Sequence, residues 1–240
     1  MVAGALRLIR RSLACRGVVP TVALIVQTGL NRRFWSPFWR VDEPAEFDRN
    51  FGTDTGASFI QSEGLDITSP NWIYGTRYRP TPAAMVHEML AALPIRYEEF
   101  TFIDFGSGKG KVLLLASDLP FKAIIGLEFS EHLHQVAQRN LASYRNKTQA
   151  CRRIDCVLID ATLYDIPLGP SVCYFFNPFR EPVMAQVVRR LESSLDTAPR
   201  DMFIVCYRPQ FHHFLSNSKY FREFRANKEY VIYRNAVGGD

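Results

Sequence analysis

Apolar runs closed by polar or acidic residues recur through the second half of the chain. Those over 100–105, 123–128, 154–159, 171–176 and 201–207 are apolar at most positions, the pattern of strands covered on both faces. Between them lie stretches expected to be helical, over about 110–118, 131–145 and 181–195. This alternation predicts an α/β fold with helices on both faces of a largely parallel sheet. Another helix is expected around 209–217, then a hairpin of Tyr220–Phe224 and Glu229–Arg234 over Ala226-Asn227. Ahead of the sheet a helix from Pro82 to Leu93 is expected, with Pro82 in its first turn and Pro94 ending it. Residues 42–81, rich in Gly, Asp, Ser and Pro, read as an irregular lid.

The chain has 240 residues, 47% of them apolar and 22% charged, which suits one domain with extensions. No internal repeat or low-complexity tract interrupts it. The net charge of +5 is unevenly placed, because Arg7, Arg10, Arg11, Arg16, Arg32, Arg33 and Arg40 all precede the first acid, Asp42. Removing those seven charges leaves the remainder near −2 (+5 minus 7), so nucleic acid is not favoured as a partner. The 15 residues between Arg16 and Arg32 fall short of the roughly 20 that span a bilayer. Residues 1–41 are thus a basic, apolar arm with three open readings. It rests on an anionic membrane surface as a peripheral contact, directs the chain to an organelle in a eukaryote, or packs on the domain with its arginines solvated. The five cysteines are an odd number, and Cys156, Cys173 and Cys206 fall in or beside strand runs as small hydrophobes. This usage points to a reducing, cytoplasmic compartment. No metal-ligand spacing is present, and the five histidines form no cluster.

The candidate chemistry centres on residues 102–110, Phe-Ile-Asp-Phe-Gly-Ser-Gly-Lys-Gly. A buried strand ends in Asp104. A turn with Gly106, Gly108 and Gly110 follows, then a helix from about Val112. Glycine there permits positive φ and close approach to the main chain. The next strand ends in a second acid, Glu128, 24 residues on, at the place where a nucleoside ribose puts its hydroxyls in an α/β crossover. Three ligand classes compete for the turn. A dinucleotide turn reads G-x-G-x-x-G, but Lys111 stands where its third glycine belongs. A phosphate-binding loop of the form G-x-x-x-x-G-K-[ST] fails at Val112, which stands where Ser or Thr is required after Gly110-Lys111. The third option places an acid two residues before the first glycine and suits a cationic ligand such as S-adenosyl-L-methionine.

Residues 100–180 resemble the class I S-adenosylmethionine-dependent methyltransferases. Asp104-Phe105-Gly106-Ser107-Gly108-Lys109-Gly110 is similar to their glycine-rich motif, and Glu128 to their ribose-binding acid. Asp160-Ala161 sits where the family usually meets the adenine amino group, and Asn177-Pro178-Phe179 resembles its motif at the active-site mouth. Phe47-Asp48-Arg49, Phe51-Gly52-Thr53-Asp54-Thr55, Asn71-Trp72-Ile73-Tyr74-Gly75 and Tyr78-Arg79-Pro80-Thr81-Pro82 look like a largely uncharacterised bacterial group within it. The glycine loop is also similar to that of the non-SET histone lysine methyltransferases. The resemblance implies a Rossmann-like, seven-stranded methyltransferase sheet with an antiparallel C-terminal strand. It divides the chain into the arm 1–41, a lid and pre-sheet helix over 42–95, and the cofactor-binding domain 96–240.

The same resemblance implies roles. The turn at Gly106, Ser107, Gly108 and Gly110 admits the methionine portion to its backbone amides, Asp104 reaches the ammonium, and Glu128 the ribose. Asn177, with the carbonyl of Pro178, accepts hydrogen bonds from an amino group while Phe179 packs on the acceptor, a lean toward nitrogen as the acceptor atom. Tyr74, Arg77, Tyr78, Thr81 and His87 lie where the class closes over its ligands, as substrate clamps or as lid packing. The expected activity is methyl transfer to a protein or small-molecule acceptor. A non-catalytic cofactor-binding scaffold is the alternative, and aminopropyl transfer a third, for which 175–185 offers only Glu181 as an acid.

Overall fold

The computed structural model describes residues 43–56 and 67–235; the basic arm and the lid over 57–66 lie outside them. The described chain opens with α1 (Glu43–Phe51), a 3-10 turn at Pro70–Tyr74, α2 (Ala83–Ala91) and a second 3-10 turn at Tyr97–Glu99. Then come β1 (Thr101–Phe105), α3 (Lys111–Ala116), β2 (Ala123–Glu128), α4 (Glu131–Ser143) and β3 (Ile154–Leu158). A 3-10 turn at Ala161–Leu163 leads to β4 (Ser171–Phe175), α5 (Glu181–Thr197) and β5 (Met202–Tyr207). The chain closes with α6 (His213–Ser216), β6 (Phe221–Ala226) and β7 (Tyr230–Asn235).

One seven-stranded sheet runs β3-β2-β1-β4-β5-β7-β6. Strands β1 to β5 are parallel, and β7 is antiparallel to both β5 and β6. This is the Rossmann-like α/β sheet with an antiparallel C-terminal strand. Side-chain chemistry explains why the last hairpin inserts β7 and leaves β6 outside. Tyr230, Val231, Ile232 and Tyr233 are buried, whereas Arg222 to Ala226 of β6 are exposed. A strand bearing Arg222, Glu223 and Arg225 belongs at an edge, where charge discourages further pairing.

Alternate strand residues serve two cores. Phe102, Ile124, Val172, Tyr174 and Phe203 pack with residues of α1 to α4, including Phe47, Val86, Leu113 and Ala137. Ile103, Phe105, Cys173, Phe175 and Ile204 face α5. There Val183, Met184, Val187, Val188, Leu191 and Leu195 form the apolar stripe of an amphipathic helix. Cys151, Cys156, Cys173 and Cys206 are free and buried in this packing. No helix among the described residues is long and apolar enough to cross a membrane.

Four local expectations shift. Residues 42–81 are not irregular throughout, because α1 forms there and ends at Gly52, whose φ of 65° provides a left-handed stop. Pro82 precedes the first turn of α2 instead of entering it, its carbonyl accepting from Met85 and Val86 N–H. The helix expected over 209–217 contracts to four residues. Arg208 precedes Pro209, which disfavours helical backbone, and adopts φ 45°. The hairpin turns later than Ala226-Asn227, because the Asn227 side chain accepts from Glu229 and Tyr230 N–H.

Leu191→Ala is expected to cost about 2–5 kcal/mol by leaving a cavity under α5. Leu168→Ala, at a residue 65% exposed, should stay within about 0.5 kcal/mol. Urea denaturation of both variants checks the contrast.

Candidate functional site

The site begins where β1 stops. Gly106, Gly108 and Gly110 take φ of 82°, 55° and 83°, so the chain reverses within a few residues before α3. The turn is bonded mainly to β2. Gly106 and Ser107 N–H both donate to Leu127 O at 2.9 and 3.0 Å, and Gly110 N–H to Ser107 O at 2.9 Å. Gly108 N–H donates to Glu128 Oε2 at 2.8 Å. The other oxygen, Oε1, accepts from Phe129 and Ser130 N–H at 3.0 and 2.8 Å. Ser130 then caps α4 by accepting from Leu133 N–H. These contacts fix Glu128 against the turn. The Gly106 and Gly108 amides, expected to face the methionine portion, bond β2 and its acid.

Glycine is required here for a reason the motif did not reveal. A Cβ on Gly106 would lie 2.3 Å from Pro178 Cβ, and one on Gly108 would lie 2.3 Å from the Tyr78 ring. The lid and the Asn-Pro-Phe loop therefore press on the turn directly. The loop is itself held by the lid: Gly75 bridges Phe179, Thr76 N–H donates to Pro178 O, and Arg180 N–H donates to Tyr74 O. Thr81 and Tyr174 share a hydrogen bond of 2.7 Å.

A second clamp joins the 53–56 turn to the glycine turn. The Asp48 carboxylate gathers Thr53 Oγ1, Thr55 N–H and Oγ1, and Gly56 N–H. Asn140 bonds both backbone groups of Asp54 and also donates to Lys109 O. Lys109 reaches Asp54 at 2.7 Å, and Tyr78 OH donates to Thr55 O at 2.8 Å. Of these residues, sequence reasoning had assigned a site role only to Tyr78. Asn140 had a readable signal, since it is a polar residue on the buried stripe of α4 with Leu133, Val136 and Ala137.

Together these parts enclose a cavity of about 800 Å³, open mouth included, at the carboxyl ends of β1, β2 and β4. That is the crevice where open α/β sheets bind ligands. Asp104, Gly106, Ser107, Gly108, Glu128, Asp160, Ala161, Pro178 and Phe179 line it, as do Arg77, Tyr78 and Thr81. Lys111, Phe129, Leu133, Ile159, Tyr174 and Phe176 line it too and were not anticipated. Gly110, Asn177, Tyr74 and His87 do not line it. Gly110 is the residue from which α3 starts, packed near Ala137. Tyr74 packs in the α5 core, and His87 is exposed on α2.

Two assigned roles need correction. The Asn177 side chain turns to the loop after β5, donating to Arg208 O and accepting from Gln210 N–H, while Pro178 O is bonded by Thr76. With Asn177 off the cavity lining and its side-chain oxygen bonded to the loop after β5, the expected pairing of Asn177 with an acceptor amine is not formed by this arrangement. Asp160 is the anchor of the lid. It accepts from Thr162 N–H and Oγ1, from Asn71 Nδ2 and from the Ser69 hydroxyl. Four donors fill the capacity of a carboxylate, so its side chain has no lone pair left for an adenine amino group. Burial raises its pKa, but these hydrogen bonds outweigh that and hold it below the usual value.

Asp104 differs. It is 3% exposed, and burial, then the charge of Glu128, push its pKa well above the usual carboxylate value. Among the described residues, no group of His, Cys, Asp and Glu is placed to hold a metal ion.

No protein-family profile matches the chain, and neither does any curated protein sequence. Solved structures resemble it over about two thirds of its length. An RNA methyltransferase from Salinibacter ruber, in complex with S-adenosyl-L-homocysteine, is 17% identical over 68% of this chain and 95% of its own, with a TM-score of 0.47. The ribosomal protein L11 methylase from Lactobacillus delbrueckii subsp. bulgaricus is 14% identical over 65% and 76%, with a TM-score of 0.44. Magnesium protoporphyrin IX methyltransferase from Synechocystis, with bound S-adenosylmethionine, is 16% identical over 64% and 77%, with a TM-score of 0.42. At these values no residue role passes from them to this chain.

The folded protein binds the Asp104 proton more tightly than the unfolded chain does. Between the ordinary carboxylate pKa and the raised one it therefore holds an extra proton, and stability falls as pH rises through that window. Asp104→Asn should flatten this fall and raise the melting temperature of the ligand-free protein at neutral pH. Thermal unfolding across pH tests it, and an unchanged profile would show that the carboxyl is not desolvated.

Proposed function

We propose that the crevice binds S-adenosyl-L-methionine and that the chain is a class I methyltransferase using it as donor. The observation that carries this reading is the pair of buried carboxylates, Asp104 and Glu128, beside a turn whose amides at 106, 107, 108 and 110 are already bonded. A phosphate-bearing nucleotide needs free amides and positive potential at such a turn. Here it would meet two acids. A ligand with an amino cation and a ribose fits both. Asp104 would hold the amino group, whose charge offsets the cost of ionising a buried carboxyl. Glu128, held at the end of β2 by the Gly108, Phe129 and Ser130 N–H groups, would accept the ribose hydroxyls. Phe129, Leu133 and Ile159 supply apolar walls for the base.

When bound, the cofactor supplies a methyl group already activated on a sulfonium. The chain's part is to align the acceptor and exclude water. Phe176, Pro178 and Phe179 make that end of the cavity apolar, and the Thr76 and Arg180 backbone bonds hold the loop that carries two of them.

Glu128→Ala should weaken S-adenosylhomocysteine binding about tenfold or more, since hydrogen bonds to a charged acceptor are worth roughly 1.5–3 kcal/mol. Titration calorimetry reads this, and equal affinity removes Glu128 from the site. Because the ligand cation displaces the Asp104 proton, affinity should rise with pH and the heat should depend on the buffer's ionisation enthalpy. Methyl-labelled cofactor and fractionated cell extract test turnover. Label is expected in one pool of protein, nucleic acid, lipid or small molecules, and no label anywhere would leave a binding protein without transferase activity.

A further inference from the structure

We infer that the hydroxyls of Thr81 and Tyr174 form a carboxylate-recognising pair beside Asp104, so that the crevice takes the whole α-amino-acid terminus of the cofactor and selects against ligands lacking its carboxylate. This rests on the cofactor reading above. Thr81 and Tyr174 line the cavity, and each is 2% exposed. Their oxygens lie 2.7 Å apart in a hydrogen bond that either can donate. The two hydroxyls carry two protons, and this bond uses one. Neither hydroxyl makes another hydrogen bond among the described residues, so one O–H donor is left over in a buried wall. A buried donor without an acceptor is unfavourable, and a ligand oxygen at that wall removes the cost.

The position of the pair selects which oxygen. Tyr174 of β4 is the register partner of Asp104 of β1, so both side chains leave the same face of the sheet on adjacent strands. The Tyr174 ring is stacked on Phe102 at 6.2 Å. Thr81 stands between Pro80 and Pro82, whose fixed φ stiffens the backbone around it. The hydroxyls are therefore presented from packed supports. An α-amino acid carries its ammonium and its carboxylate on one carbon. An acid that takes the ammonium thus brings the carboxylate within a few bond lengths, and a neutral donor holds it there without competing for Asp104. Burial keeps the Tyr174 pKa well above its ordinary value despite the Thr81 hydrogen bond, so the phenol stays protonated and able to donate.

Titration calorimetry on the full chain tests this with S-adenosylhomocysteine, with its decarboxylated form S-adenosyl-3-thiopropylamine, which keeps the amine, and with 5′-methylthioadenosine, which lacks both groups. The Tyr174→Phe/Thr81→Val double variant replaces both hydroxyls by apolar groups of similar shape, a change that leaves no polar atom of the pair unsatisfied. It should weaken S-adenosylhomocysteine about tenfold or more and leave the other two ligands within about twofold. Either single variant keeps one O–H donor and should lose less than the double. Arg77, Arg79 and Lys111 also line the cavity. A carboxylate held by one of them would leave the double variant binding as wild type, which overturns the inference. Weakening of S-adenosyl-3-thiopropylamine by as much as S-adenosylhomocysteine overturns it too, because the pair then does not sense the carboxylate. Wild type that takes no S-adenosylhomocysteine at all would instead remove the cofactor reading.

Discussion

Between β1 and α3 the chain has to turn within the width of a bare backbone, because Pro178 and Tyr78 occupy the space that side chains at 106 and 108 would need. Everything at the crevice is arranged around that contact. Pro178 belongs to the loop after β4, and Tyr78 to the lid ahead of the sheet, so three distant parts of the chain meet on a few backbone atoms. Left-handed φ values at the glycines make this possible at little steric cost. The same turn bonds β2 through Leu127 and Glu128, which holds the two acids in one wall. Side chains larger than hydrogen would force the lid, the Asn-Pro-Phe loop or the strand ends apart.

Polar residues in this region divide between anchoring and binding, and burial with hydrogen-bond satisfaction tells them apart. Asp48, Asp160 and Asn140 spend their side chains on the protein itself: Asp48 gathers the 53–56 turn, while Asp160 and Asn140 tie lid segments to strand-end loops. Such satisfied groups add rigidity without offering a ligand anything. Asp104 is the contrasting case, a buried carboxyl whose proton affinity is raised by burial and then by the neighbouring charge of Glu128. A group held in that state has most to gain from a cation.

The clamp around Lys109 shows how a lid acquires a definite position. A buried lysine, 4% exposed, is paired to Asp54 at 2.7 Å, and an uncompensated ammonium there would be costly. Lys109 lies inside the glycine motif and Asp54 inside the lid. The pair thus converts a need for charge compensation into a fixed approach of the lid to the turn. Tyr78 and Asn140 add neutral hydrogen bonds to the same segment.

The sheet was legible because its signal is local: five apolar runs of strand length, separated by stretches long enough for crossover helices, leave few arrangements. The acids at the strand ends were legible for the same reason, since Asp104 and Glu128 close their runs in the sequence itself. The hairpin boundaries and the short α6 were not, because an Asn227 side-chain turn and a positive φ at Arg208 depend on partners and on backbone context that apolar spacing does not encode. Asp160 and Asn177 show the deeper limit. Sequence places each at the end of the correct strand, yet the orientation of its side chain is decided by Ser69, Asn71 and Thr162 in one case and by the Arg208–Gln210 backbone in the other. What a residue is, and which strand end it occupies, follows from the chain alone; which of its atoms remain available for a ligand depends on partners remote in sequence, and only the packed tertiary structure brings those together.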